Sequence, residues 1–101
     1  MASTKEYLDY ILDQLSDLDE IRFRPMMGEY ILYYRGKIFG GIYDDRLLVK
    51  PVPAALKLMP DADMERPYDG AKEMILVTDP DDREFLCGLV RSMWEELQEK
   101  K

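Results

Sequence analysis

The chain has no histidine and a single cysteine, Cys87, among its 101 residues. The first absence removes the commonest general base and metal ligand at neutral pH. The second rules out an internal disulfide and makes a reducing, cytoplasmic setting the expectation. Cys87 falls beside the apolar stripe of a predicted C-terminal helix with no imidazole to activate it, so an inert thiol is expected rather than a nucleophile. No apolar run is long enough to span a membrane, and the opening residues MASTKEYLDY lack the charged and apolar regions of a signal peptide. EF-hand spacing is missing, and Gly28, Gly40 and Gly41 match no nucleotide-binding fingerprint, so neither a metal nor a cofactor is expected. Internal repeats, low-complexity tracts and interdomain linkers are also missing. The expectation is one domain, residues 1–101, of a size that supports one core.

What is present is apolar content of 47% in periodic patterns, which argues against disorder, and a net charge of −7 that is unevenly spread. Residues 1–21 hold one lysine against six acids, residues 22–57 hold seven basic residues against three acids, and residues 58–101 hold six against twelve. The middle third is therefore positive and both flanks are acidic.

That middle third reads as strands. The run from Met26 to Pro51 has β-rich stretches at Tyr30–Tyr34, Lys37–Tyr43 and Arg46–Lys50, separated by Arg35-Gly36 and Asp44-Asp45. Two-residue loops of this kind suit primed hairpin turns, which gives an antiparallel meander. Ile21, Phe23 and Pro25 alternate with Arg22 and Arg24 as a short strand near an edge, because proline cannot complete a ladder. Glu73–Thr78 is a further strand, apolar without alternation from Met74 to Val77 and so expected to be buried on both faces. Helical spacing of Tyr7, Leu8, Ile11, Leu12, Leu15 and Leu18 predicts an N-terminal helix, with Ser3 and Glu6 as a capping box. Pro53–Met59 predicts a short helix. Phe85, Leu86, Leu89, Val90, Met93, Trp94 and Leu97 form the stripe of a C-terminal helix that Asp79 caps and Pro80 opens. The fold class is α+β, with a central antiparallel sheet flanked by N- and C-terminal helices.

Hairpin register sorts the sheet residues into two faces. Tyr33 opposite Ile38, Ile31 opposite Gly40 and Ile42 opposite Leu47 put Ile31, Tyr33, Ile38, Ile42, Leu47 and Val49 on an aliphatic face for the helices. The other face then carries Tyr30, Leu32, Tyr34, Phe39, Tyr43 and Leu48 beside Lys37, Arg46 and Lys50. An aromatic and basic surface suits three uses: an internal or subunit-interface core, a protein-partner surface, or a platform on which bases stack. Tyr30, Tyr34, Lys37, Phe39, Tyr43, Arg46 and Lys50 are the candidate partner-binding residues. No residue set points to catalysis, and a non-enzymatic domain is expected.

Arg24, Met26-Met27-Gly28, Tyr30, Gly36-Lys37-Ile38-Phe39, Asp44-Asp45-Arg46-Leu47 and Val49-Lys50 together resemble the N-terminal domain of the TfoX/Sxy competence regulators. The terminal helices extend the resemblance over nearly the whole chain. It implies an α+β fold of secretion-chaperone-like layout, pairing as homodimers, and a role in activating competence genes together with the cAMP receptor protein. Family members often read Met-Phe-Gly-Gly-Tyr-Gly where this chain has Met26-Met27-Gly28-Glu29-Tyr30-Ile31, which reduces the flexible glycine segment. Full-length competence regulators also carry a second, helical C-terminal domain, and none follows within these 101 residues. The expectation is a regulatory or adaptor domain acting through a protein partner, with the transcription machinery among the candidates. A nucleic-acid-binding regulator using the basic sheet face is the alternative.

Overall fold

The computed structural model describes residues 3–78 and 80–97. It has an α+β fold built on one open antiparallel sheet. In chain order the elements are α1 (Lys5–Gln14), β1 (Ile21–Met26), β2 (Glu29–Tyr34), β3 (Lys37–Ile42), β4 (Leu47–Val49), α2 (Pro53–Leu58), β5 (Met64–Glu65), β6 (Met74–Leu76) and α3 (Arg83–Met93), followed by a single 3-10 turn at Trp94–Glu96. The strand order is β1-β2-β3-β4-β6-β5.

Three tight turns generate the first four strands. Met27 and Gly28 have φ of 52° and 86°, Arg35 and Gly36 of 49° and 85°, and Asp44 and Asp45 of 54° each. Positive φ at both central residues is the signature of the primed turn, whose twist matches that of the strands it joins. The last two turns are as the sequence predicts. The first is an addition: Met27-Gly28 closes β1 onto β2, with Met26 paired to Glu29, so the meander has four strands. β5 is a second addition, pairing only two residues with β6.

Helix boundaries depart from expectation at their caps. Thr4, not Ser3, caps α1, its hydroxyl accepting from the Tyr7 amide at 3.2 Å. Ser3 is used elsewhere, as described below. The helix ends at Gln14, and Leu15 and Leu18 reach the core from the turns that follow. Asp82 caps α3 by accepting from the Phe85 amide at 3.1 Å. Asp79, the expected cap, lies outside the described residues, and Pro80 precedes the helix rather than opening it.

The core lies on one side of the sheet. Leu89, Val90 and Met93 of α3 join Leu8, Ile11 and Leu15, with Leu12 packed against them, over Leu32, Phe39, Ile42, Leu47, Val49 and Ile75. In β6, Ile75 is fully buried while Met74 and Leu76 on either side are only half-buried, so this strand alternates and does not bury both faces.

The expected sorting of sheet residues fails inside β3. Tyr34 faces Lys37 and Tyr33 faces Ile38, as the turn requires, but Leu32 then faces Gly40 and Ile31 faces Gly41. Phe39 is the extra residue of a β-bulge, which shifts every later pair by one and exchanges the faces of half the meander. Tyr30, Leu32, Tyr34 and Phe39 consequently join Ile42, Leu47 and Val49 beneath the helices. Ile31, Tyr33 and Ile38, expected in the aliphatic core, go to the opposite side. The β3–β4 register, Gly40 to Val49 and Ile42 to Leu47, is as predicted.

Candidate functional site

The two sheet faces differ in what covers them. α1, α2 and α3 pack on one. Among the described residues, the other, outer face takes the loop from Glu65 to Glu73, with Glu96 and Leu97 of the C-terminal turn at the groove's margin, and its composition follows from the register. Arg22, Tyr33 and Ile38 form one row across β1, β2 and β3; Arg24, Ile31, Gly41, Leu48 and Leu76 form the next. Ile31, Tyr33 and Ile38 are half-buried, and Arg22 and Arg24 are exposed.

Gly41 shapes the floor of this face. A Cβ there would sit 2.6 Å from Cε2 of Tyr43 and 2.7 Å from the carbonyl oxygen of Tyr30, so the bare backbone lets the Tyr43 ring lie down on the sheet. Tyr68, carried by the loop, packs on that ring with centroids 6.4 Å apart. Between this tyrosine pair and β2 runs a largely apolar groove of about 660 Å³, lined by Met26, Ile31, Ile38, Tyr43, Tyr68 and Met74, with Lys50, Lys72, Glu73 and Glu96 also along it. A smaller concavity beside Arg22, Arg24 and Tyr33 lies against β1 and β2.

The seven sequence-predicted binding residues do not share a surface. Phe39 is 0% exposed and Tyr34 7%, both in the core, and Tyr30 is packed against that core. Lys37 sits on the helix side, its ammonium 3.9 Å from the Trp94 ring centroid and donating to the Trp94 carbonyl at 3.2 Å. That cation–π contact accounts for a lysine placed in a largely covered region. Arg46 is held by an ion pair with Glu65 and by donating from Nε to the Tyr43 carbonyl. Only Tyr43 and Lys50 reach the outer groove, and Tyr43 is itself 6% exposed. The aromatic face is thus mostly interior, and the cause is the bulge at Phe39. Arg22, Arg24, Ile31, Ile38 and Tyr68 were missed as surface residues; the adjacent Gly40 and Gly41 were the signal that the strand is irregular there.

A second polar constellation joins the N-terminal segment to two turns. The Glu29 carboxylate accepts from the Ser3 amide at 2.9 Å, the Ser3 hydroxyl at 2.5 Å and the Asp44 amide at 3.2 Å. Asp45 in turn accepts from the Thr4 amide at 2.8 Å, and its own amide donates to the Ser3 hydroxyl. These contacts hold the N-terminal segment to the two turns and read as structural.

Among the described residues, four groups have shifted titration, and each shift is upward. Burial pushes the phenols of Tyr7, Tyr10 and Tyr43 and the thiol of Cys87 up from their ordinary values. A raised value keeps each protonated at neutral pH and so weakens it as a nucleophile or base. Cys87 is buried, with its thiol directed at the Gln14 carbonyl at 3.5 Å. Among the described residues, no cluster of three or more His, Cys, Asp or Glu side chains is placed to hold a metal ion, and no helix is long and apolar enough to cross a membrane.

Comparison with known proteins gives two matches. A family model for the TfoX N-terminal domain matches residues 13–94. A protein of Spirochaeta aurantia, described as an uncharacterized 12.7 kDa protein in the trpE 5′ region, is 33% identical over 79 residues, covering 78% of this chain and 69% of its own length. No solved structure matches.

Proposed function

The chain belongs to the TfoX N-terminal domain family, and on that premise we propose that it is a non-enzymatic regulatory or adaptor domain that binds a protein through the outer face of its sheet. The observation that carries the reading is the apolar groove, which no α-helix among the described residues covers. All three helices pack on the other face, leaving half-buried Ile31 and Ile38 to water where a partner's apolar side chains would shield them. The family is not a known enzyme family, and the raised thiol and phenol values agree with a binding role. The transcription machinery is the class of partner that the kinship suggests, and self-association as a homodimer is part of the proposal. Sedimentation of the pure domain checks the dimer; a monomer mass across the accessible concentration range would remove it.

A photo-cross-linking residue at Tyr33, on the outer face, against one at exposed Glu84 on α3 tests the binding site in cells. Discrete protein adducts at Tyr33 that survive nuclease and are missing at Glu84 are expected. Equal labelling at both positions would refute the site.

A nucleic-acid regulator is the second reading, favoured by Arg22 standing directly opposite Tyr33 with Arg24 in the next row. Cations beside a partly exposed ring suit a base and its phosphate. Adducts at Tyr33 that consist of nucleic acid would select it.

A further inference from the structure

We propose that the partner segment received by the outer groove is a short apolar peptide with acidic flanks; the proposal rests on the protein-binding reading above. The lining is aliphatic, thioether and phenolic, which calls for apolar side chains in the segment itself. The lining itself sets Lys50 and Lys72 against Glu73 and Glu96, and the two arginines of β1 tip the margin towards positive charge. Lys50 and Lys72 lie along the groove, and Arg24 stands directly opposite Ile31, one of its lining residues, with Arg22 in the neighbouring row.

None of these four cations is in an ion pair among the described residues, whose three pairs are Arg35 with Glu20, Arg46 with Glu65 and Arg83 with Asp13. The acids nearby are more engaged. Glu20 is paired to Arg35 at 3.4 Å, the Glu96 carboxylate keeps its charge but is tied to the Ala54 amide at 2.7 Å, and Glu73 has no hydrogen bond or ion pair among the described residues. A segment with carboxylates on either side of an apolar centre therefore meets cations at both margins, while a basic segment meets like charge.

The same features weigh against a nucleic-acid strand in this groove. Tyr43 packs over Gly41 and is buried, which leaves Tyr68 as the exposed ring among the groove's described lining and no second ring face for a neighbouring base. A strand long enough to follow its backbone beyond the groove would also run into the acidic remainder of a chain whose net charge is −7. A short peptide keeps its few charges local.

The test is fluorescence anisotropy of the full chain with two labelled peptides sharing one centre of leucine and phenylalanine, one flanked by glutamates and the other by lysines. An oligo-dT strand serves as the third probe. The glutamate-flanked peptide is expected to bind at least about tenfold more tightly than the lysine-flanked one, with the preference shrinking as salt is raised. Lys50→Glu with Lys72→Glu should abolish that preference, and Tyr68→Ala should weaken both peptides alike; circular dichroism confirms that each variant is folded. Equal affinity for the two peptides overturns the acidic assignment and leaves the protein-binding reading intact. Tighter oligo-dT binding, or no binding of either peptide, overturns both. Undiminished peptide binding by the folded Tyr68→Ala variant would place the contact outside this groove.

Discussion

Gly41 does more for the outer face than any side chain on it. Its missing Cβ is what allows Tyr43 to lie on the sheet and Tyr68 to close over it. Gly41→Ala should destabilise the domain by about 1–3 kcal/mol in denaturant unfolding, because one neighbour it meets is backbone and cannot move aside. A loss below half a unit would mean that the ring swings away at little cost. Glu29 has a comparable role for the N-terminal segment. Its carboxylate gathers donors from Ser3 and Asp44. Glu29→Ala strands those donors and is expected to cost about 1–3 kcal/mol, with faster amide exchange at Asp44. Glu29→Gln retains one acceptor oxygen and should cost less. Equal, negligible losses in the two variants would show that water replaces the carboxylate fully.

At the scale of elements, β1 is the exposed long edge of the sheet, and an exposed edge invites pairing with other chains. Its sequence works against that. Met26 pairs with Glu29 across a two-residue turn, and at the other end the Arg35 amide donates to the Glu20 carbonyl. Alternation between these bonded positions points the backbone nitrogen of Pro25 outward, where a missing N–H subtracts a donor from the edge and none from the β1–β2 ladder. Arg22 and Arg24 add charge on the outer face, while Phe23, 44% exposed, rests edge-on against Tyr30 on the helix side. Valine at all three of Arg22, Arg24 and Pro25 should turn the edge into a template, seen as concentration-dependent growth in light scattering. Unchanged scattering would show that Phe23 and the strand's twist suffice to protect it. The most legible elements were those with strong local signals, α1, α3 and the turns at Arg35-Gly36 and Asp44-Asp45. β5, held by two pairs, has no such signal.

The whole molecule draws its charge from residue types whose ordinary pKa values lie far from neutrality. With no histidine, no side chain has its ordinary pKa between those of the carboxylates and the thiol, so stability should be nearly flat from about pH 6 to 8. The alkaline side is different. Burial raises Cys87 above its ordinary 9.0 and Tyr7 and Tyr43 above 10.0. Once the pH passes those ordinary values, the unfolded chain releases protons that the folded chain retains, and stability falls until the folded values are also passed. Thermal midpoints should therefore decline from about pH 9 upward. Tyr43→Phe, which removes one of the three groups, should flatten the decline, and an identical profile would show that Tyr43 ionises in place without cost.

The amino-acid sequence by itself determined the α+β class, the antiparallel meander, the apolar stripes of the terminal helices and the family resemblance, because each rests on spacing between residues close in the chain. Periodicity and turn chemistry are local, and they survive whatever the rest of the molecule does. Which residues face water was decided only by the tertiary structure. One bulged residue, Phe39, inverts the facing of part of a strand without changing its composition, and so carried Tyr30, Tyr34 and Phe39 into the core and Ile31, Tyr33 and Ile38 out of it. The descent of Tyr68 onto Tyr43 is a contact between segments distant in sequence. A strand's period of two records only relative facing, and absolute facing is set where the strands, helices and loop compete to cover the same apolar surface.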